Sequence, residues 1–556
     1  MGEDSQRLRQ AEWLEIVALA LLSIVPILPY LTHVLDHRVV RFDLGADFAL
    51  QEYNVRHVWL GETLLGLGSR WKWSHPGPLL FYFIAPFQKA FGASSTGLYV
   101  GTWALSAVSV STIVGATRRW AGRRQAIAAL VVITCWFGAF GNVAQNPWVR
   151  IVLALPLFAY LVLATLFARG AAGAAVTAIP FGCLVTQTHV LTSETVGVVG
   201  AVALGAFLLG ARRRGGLIRS EKRWLVIAVG LLVLLFLPPL IEQARAAPGQ
   251  GNISKLIMFQ KTRTASTKPL GDAFRNWTFA NSWLVDRILS GTILEESDGP
   301  MVVRWDPVPP TVSRTAWTIL VVQVLSCAAA AVVARWRRDA TSLAFLGIGV
   351  LGSLLAIHSV RALAGQEHYS LLFWTASASA VAWIGVVSTG LGELWGAASR
   401  FIAPSRSRVA ILIALGIVPV IAATIPQRVW LARFPNPTGT APWARALHAG
   451  LYEAVRERTK RADAVPVIHQ EGGWDVALAM LLEHDKDGLD VRIADADAWG
   501  VPAARLAREG RFLHFWFASP ELPVPYSACL ELVGKVGPRL VYAAPSDVKT
   551  CEVAPR

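Results

Sequence analysis

The chain is 556 residues long, 54% hydrophobic and only 16% charged, with 22 tryptophans. A mean hydropathy of +0.46, with several apolar stretches of the roughly 20 residues that a bilayer requires, excludes a soluble globular protein. The formal net charge of +15 sits largely in short Arg clusters between apolar stretches. That is the positive-inside pattern, not a basic face interleaved with aromatics, so nucleic acid is not an expected partner.

Residues 1–12 are polar and mixed in charge, and the apolar stretch after them has no small-residue cleavage site, so it reads as a retained signal anchor. Spans are predicted over residues 13–35, 96–117, 125–141, 151–168, 171–190, 195–211, 224–241, 315–334, 341–360, 369–388 and 409–426. Four basic groups are predicted to face the cytoplasm: Arg118/Arg119/Arg123/Arg124, Arg212–Arg214 with Lys222/Arg223, Arg335/Arg337/Arg338, and Arg400/Arg406/Arg408. Residues 78–91 (PLLFYFIAPFQKAF) are apolar but too short to span, and counting them as a span would put Arg118–Arg124 outside. They read as an interfacial or re-entrant helix. The result is a polytopic α-helical protein with about 11 transmembrane helices, its N-terminus inside and its C-terminus outside.

This topology makes residues 1–428 a multi-span membrane domain with outer loops at 36–95 and 242–314, and shorter outer loops at 142–150 and 361–368. Residues 429–556 are more charged. Helical patterning over Ala444–Arg458 and Trp474–Glu483, and strand patterning over Val465–His469, Leu489–Ile493, Phe512–Phe517 and Arg539–Ala543, predict a small extracytoplasmic α/β domain. Cys135, Cys183 and Cys327 lie in apolar stretches as packing residues. Cys529 and Cys551 share the polar C-terminal segment, where an oxidising compartment would permit a disulfide.

Nearly all polar residues suited to chemistry fall on the predicted outer side. Asp43 and Asp47 are four apart, so a helical turn would place both on one face. Glu52, Arg56 and His57 follow, and Arg70 and Lys72 precede Trp73-Ser-His75-Pro76-Gly-Pro78. Carboxylates beside a membrane usually mark function. One here could act as general base on an acceptor hydroxyl, with nearby cations holding a phosphate leaving group. The alternative is a solvated loop whose charges pair with one another or with headgroups.

Asp47-x8-Arg56, followed by His75-Pro76 and the aromatic run Leu79–Phe83, resembles the first outer loop of GT-C integral membrane glycosyltransferases. It is most similar to the branch containing aminoarabinose transferase and protein O-mannosyltransferase relatives. On that resemblance Asp47 takes the family's catalytic acid position and His75 the position of a basic residue before proline. Phe48 replaces the usual second acid and Gly77 interrupts the double proline, which leaves open a role shared with Asp43. The resemblance implies a lipid-phosphate sugar donor, usually polyprenyl-phosphate, and inverting transfer to an extracytoplasmic glycan, lipid or protein. It covers residues 13–120 by motif and the remainder by topology alone. In agreement, no G-x-x-x-x-G-K-[ST] and no Rossmann unit is present.

His189, in Gln187-Thr-His189 at the outer end of a span, could hydrogen-bond sugar or phosphate, or pack as a satisfied intramembrane histidine. Arg150, in Asn146-Pro147-Trp148-x-Arg150, fits a helix anchor better than a phosphate ligand. Arg361 and His368 flank a late outer loop of the kind that supplies donor-phosphate cations in the GT-C pattern. Trp277, Trp283 and Trp305 fit an interfacial belt before an acceptor platform. Asp298 and Asp306 read as solvated. His469-Gln-Glu471 and His484-Asp485 have no metal-ligand spacing. No metal site is assigned, although an Asp pair is compatible with a divalent ion. A transporter or flippase of lipid-linked sugars is the competing class. It would place essential charges near the bilayer midplane and often carry internal repeats, whereas these spans are mostly clean of charge. A noncatalytic scaffold that binds polysaccharide through its outer domain is a third possibility.

Overall fold

The computed structural model describes residues 3–39, 41–69, 71–140, 146–262, 267–290, 311–363, 369–398, 417–425, 428, 431, 442–471, 474–493, 512–518, 531–536 and 539–543. In chain order the helices are α1 (Glu3–Ile24), α2 (Leu28–Asp36), α3 (Ala46–His57), α4 (Leu79–Phe91), α5 (Thr96–Trp120), α6 (Arg123–Phe140), α7 (Ala154–Ala168), α8 (Ala172–Thr188), α9 (Ser193–Arg213) and α10 (Arg219–Arg245). There follow α11 (Asn252–Thr262), α12 (Leu270–Ser290), α13 (Arg314–Trp336), α14 (Ala340–Arg361), α15 (Tyr369–Leu372), α16 (Ala376–Ala398), α17 (Pro442–Ala462) and α18 (Trp474–Lys486). Five strands complete the set: β1 (Val465–Glu471), β2 (Arg492–Ile493), β3 (Phe512–Ala518), β4 (Glu531–Val536) and β5 (Arg539–Ala543). Two compact units result. One comprises residues 1–36, 102–237 and 262–435; the other comprises 37–101, 238–261 and 436–556.

Among the described residues, seven helical stretches are long and apolar enough to cross a membrane, and α7 and α8 are shorter apolar helices. The predicted span 409–426 lies partly outside the described residues. Within the first unit α7 is the axis. It is apolar all round, and every residue from Ala154 to Phe167 is buried, as expected for a helix with no polar face to turn outward. Ser377 ties the start of α16 to it by donating to the Ala154 carbonyl at 2.7 Å. In contrast, only 11% of the apolar window of α10 and of α13 is buried, which leaves long aliphatic faces suited to lipid.

A close helix crossing lies between α14 and α16. A Cβ added to Gly349 would sit 2.7 Å from Ala382 Cα, and one added to Gly385 would sit 2.7 Å from Leu346 Cγ. Small residues at facing positions let two backbones approach where the surrounding lipid is as apolar as the side chains. Gln187, on α8, performs a different repair. Pro239 has no N–H to give the Leu235 carbonyl one turn earlier in α10, and Gln187 Nε2 donates to that carbonyl at 2.8 Å.

Three of the basic clusters meet acidic partners between helices, the second of them through Arg214, which pairs with Glu221 of α10 at 2.7 Å. Glu15 accepts from Arg118 at 2.9 Å and from Arg123 at 2.5 and 2.7 Å. Arg124 pairs with Asp339, which also caps α14 by accepting from the Ser342 N–H at 3.1 Å. Arg337 makes a two-pronged contact with Glu393, at 2.7 Å for each nitrogen. The fourth cluster, at Arg400–Arg408, lies outside the described residues.

In the second unit α4 crosses the start of α5 at Gly97, where a Cβ would lie 2.5 Å from Gln88 Cα. The sheet runs β2-β1-β3-β5-β4. β1 is parallel to β2 and β3, while β5 is antiparallel to β3 and β4. β5 occupies the residues expected of it, and β1, β3, α17 and α18 run slightly longer than their patterns. β4 was not anticipated: Gly534 interrupts its alternation, and the register is irregular between Leu532 and Gly534.

His469 on β1 and His514 on β3 share a hydrogen bond of 2.7 Å between Nε2 and Nδ1. Burial, with the neighbouring ring adding to it, holds His469 down to about 3 from its ordinary 6.5. The unfolded chain therefore takes up a proton that the folded one refuses. The stabilisation is complete above pH 6.5 and falls, by up to about 1.4 kcal/mol per pH unit, as pH drops toward 3. Thermal unfolding of the purified protein followed at pH 7.5 and pH 5 should show a lower midpoint at pH 5, with a smaller drop in His469→Gln. An equal drop in the variant would assign the acid sensitivity elsewhere.

Candidate active site

Asp43 and Asp47 do not share a helix face. α3 begins only at Ala46, after Gly45 in extended conformation (φ −136°, ψ 177°), so the expected i,i+4 geometry does not apply. Two non-glycine residues in the left-handed region bracket the turn, Phe42 at φ 65° and Ala46 at φ 49°. Such backbone persists only where the surroundings impose it, and it concentrates at functional sites. Asp43 is 4% exposed and lies 3.1 Å from Arg445 Nε of α17. Asp47 is half-buried in the first turn of α3, where the helix N-terminus favours a carboxylate.

One turn further along α3, Glu52 is fully buried. It accepts from Arg56 Nε at 2.9 Å and from Gln88 Nε2 at 3.2 Å, and lies 3.8 Å from Lys486 Nζ. Arg56 also donates to the Gly92 carbonyl at 2.8 Å, so its guanidinium is committed to holding α3 against the turn after α4. His57 is buried, with Nδ1 2.7 Å from the Tyr53 carbonyl and Nε2 3.3 Å from Asp485.

His75 closes a short hairpin. Its N–H donates to the Leu67 carbonyl at 2.8 Å, its carbonyl accepts from Gly66 at 3.0 Å, and Gly68 bridges Ser74. Lys72 makes the turn at φ 62°. Asn252, at the head of α11, completes the hairpin as a mock strand. Its amide nitrogen donates to the Ser74 carbonyl at 2.8 Å, and its amide oxygen accepts from the Ser74 N–H at 2.7 Å. The imidazole is buried beside the Trp73 indole, with ring centres 5.5 Å apart.

The predicted site residues thus divide by unit. Asp43, Asp47, Arg56 and His75 belong to the second, while His189 and Arg361 belong to the first. His189 is buried and caps the turn after α8 by accepting from the Leu191 N–H at 3.4 Å. Arg361 ends α14 and exchanges two bonds with Lys268: its Nε donates to the Lys268 carbonyl at 3.2 Å, and its own carbonyl accepts from the Lys268 N–H at 3.1 Å. His368, Trp305, Asp298, Asp306, Cys529 and Cys551 lie outside the described residues. Among the described residues no group of three or more His, Cys, Asp or Glu could hold a metal ion.

Several residues passed over in the sequence carry polar chemistry here. Glu194, at the start of α9, accepts from Ser359 at 3.1 Å and pairs with His358 at 2.7 Å. Glu483 and Lys486 of α18 are buried charges lying one helical turn apart. Burial raises the Glu483 carboxyl, but Lys486, Arg41 and the Phe42 N–H outweigh it and hold the group below its ordinary range. The i,i+3 spacing was visible in the sequence but reads equally as a solvated helix face. A cavity of about 630 Å³ opens in the first unit between α12, α13 and α14, lined by Trp277, Gln323, Cys327, Val350, Leu354 and Ile357 among others. Trp277 is 4% exposed, and its indole N–H meets no acceptor among the described residues.

The architecture is that of a multi-pass membrane protein whose spans surround a buried central helix and whose loops and C-terminal segment form a second compact unit. Solved structures of ArnT from Cupriavidus metallidurans share it. Against the crystal structure bound to undecaprenyl phosphate the TM-score is 0.50 at 13% identity, covering 98% of this chain and 99% of that chain. Against the apo crystal structure it is 0.49 at 12% identity, covering 99% and 100%. The resemblance read from the first outer loop therefore holds for the fold of nearly the whole chain. No protein-family profile matches the sequence, and no curated protein does.

Proposed function

We propose that this protein is a GT-C-type membrane glycosyltransferase, moving a sugar from a polyprenyl-phosphate donor to a glycan, lipid or protein acceptor on the extracytoplasmic side. The observation that carries the reading is the contrast between the two aspartates. Asp43 is buried against an arginine, whereas Asp47 stands half-buried at a helix N-terminus behind strained backbone. The ArnT fold, which in one solved structure is bound to undecaprenyl phosphate, supports the donor class.

In this reading Asp47 accepts the proton of an acceptor hydroxyl as the oxygen attacks the anomeric carbon. The new O–C bond forms as the C–O bond to phosphate breaks, polyprenyl phosphate leaves with the electron pair, and the configuration inverts. His75, His189, Arg361 and His368 are the groups assigned to donor sugar and phosphate. Arg56, already bonded to Glu52 and Gly92, contributes through α3. Eleven crossings, with the short helices α7 and α8 among them, would put residues 36–95 and the C-terminal domain on one outer side. The apolar cavity beside Trp277 gives the membrane unit a place for part of an isoprenoid tail.

The test is to reconstitute the purified protein in vesicles with labelled polyprenyl-phosphate sugars. Cleavage of the sugar–phosphate bond, coupled to labelling of an acceptor, is expected. Movement of intact lipid-linked sugar between leaflets without cleavage would overturn the enzyme reading in favour of a flippase.

A further inference from the structure

Arg41, Phe42 and Asp43, shortly before α3, are gripped by side chains of α17 and α18. Arg41 Nε donates to Glu483 Oε2 at 2.8 Å, and Arg41 Nη1 donates to Asp487 Oδ1 at 2.8 Å. The Phe42 N–H donates to Glu483 Oε1 at 3.0 Å, and His448 Nδ1 lies 3.1 Å from the Phe42 carbonyl. Arg445 reaches Asp43. Beneath them Lys486 Nζ, fully buried, donates to Glu483 at 2.8 Å and to Ser95 at 2.9 Å, with Glu52 3.8 Å away. Three carboxylates (Glu52, Glu483, Asp487) thus face three cations (Arg41, Arg56, Lys486).

A phenylalanine at φ 65° needs external restraint. Both its backbone hydrogen-bonding groups meet C-terminal side chains, and Glu483 is where that restraint joins the buried charges. Removing one member of such a network leaves its partners desolvated and unbalanced, so its main effect is to fix one geometry.

We propose that Glu483 is a positioning residue for Asp47: through the Phe42 N–H and Arg41 it sets the left-handed turn that starts α3 and aims its first-turn carboxylate. This rests on the reading of Asp47 as the reacting base. The C-terminal segment is on this view part of the active site's frame, not only an acceptor-binding appendage.

Amide exchange over residues 41–50 tests this directly, without substrate. Glu483→Ala should raise exchange there. In the transfer assay it should lower kcat about 10- to 100-fold, the scale of an ångström-level misplacement, with donor KM within about threefold. Glu483→Gln still offers an acceptor oxygen to the Phe42 N–H. It should keep wild-type exchange over 41–50 and recover most of kcat, while its unfolding midpoint falls because Lys486 loses a charge partner. Unchanged exchange in Glu483→Ala overturns the proposal, as does a Gln variant as loose and slow as Ala. If Glu483→Ala does not fold, the Gln variant carries the exchange test alone. If Asp47→Asn retains full transfer, the reading of Asp47 fails, and the exchange data still decide whether Glu483 sets the turn.

Discussion

Asp47→Asn is expected to reduce sugar transfer about 10²- to 10⁴-fold, the range typical of a lost general base, with membrane insertion and unfolding midpoint close to wild type. The side chain keeps its size and its place in the first turn of α3 but loses its charge, and with it the ability to take a proton. Asp43→Asn should behave in the opposite way. Asp43 is buried against Arg445, itself about one-third exposed, so neutralising it should lower stability by roughly 1–3 kcal/mol, below the penalty for a wholly buried pair. Its turnover per folded molecule should fall much less. Initial rates and unfolding midpoints for the two variants in the same detergent separate the roles. A variant of Asp47 with wild-type rates, or of Asp43 with normal stability and no activity, would exchange the assignments.

The second large effect is expected within the first unit, at the crossing of α14 and α16. Gly349→Leu places a branched side chain where even a Cβ would meet Ala382 backbone. Rigid backbone cannot yield as a flexible side chain does, so α14 and α16 must separate. Overpacking of this kind destabilises by roughly 1–3 kcal/mol and sometimes more. Here it would also open the contact of Gly352 with Ala378, one turn along the same crossing. Reduced yield of monodisperse protein and a lowered unfolding midpoint are the expected results. Gly347→Ala, where an added Cβ meets nothing within 4 Å, is the matched control. Equal behaviour of the two variants would show that the crossing tolerates expansion.

Hydropathy made the membrane class legible, because a long apolar run has few alternatives to a bilayer. The count of crossings was less so. α7 and α8 are 15 and 17 residues long, and a buried helix and a short span have the same composition. The Asp43/Asp47 pair shows a second limit. Spacing of four predicts a shared face only if both residues are helical, and Gly45, extended before Ala46, breaks that condition. Asp47, Arg56 and His75 were visible as a local pattern. Glu483 and Lys486 were not, because their meaning depends on partners about 440 positions earlier in the chain. Asn252 was hidden for a related reason: an asparagine that completes a hairpin in place of a strand leaves no periodic trace.

The second unit draws on three stretches, 37–101, 238–261 and 436–556, and this orders its biosynthesis. During translation the loop that bears Asp47 emerges early, yet the residues that grip its entrance are made only after hundreds more have left the ribosome. Its hairpin must wait for Asn252 and its turn for Glu483. The nascent loop therefore lacks its partners for most of synthesis. Maturation of this second unit becomes a late event, and it is there that slow folding and quality-control recognition should concentrate.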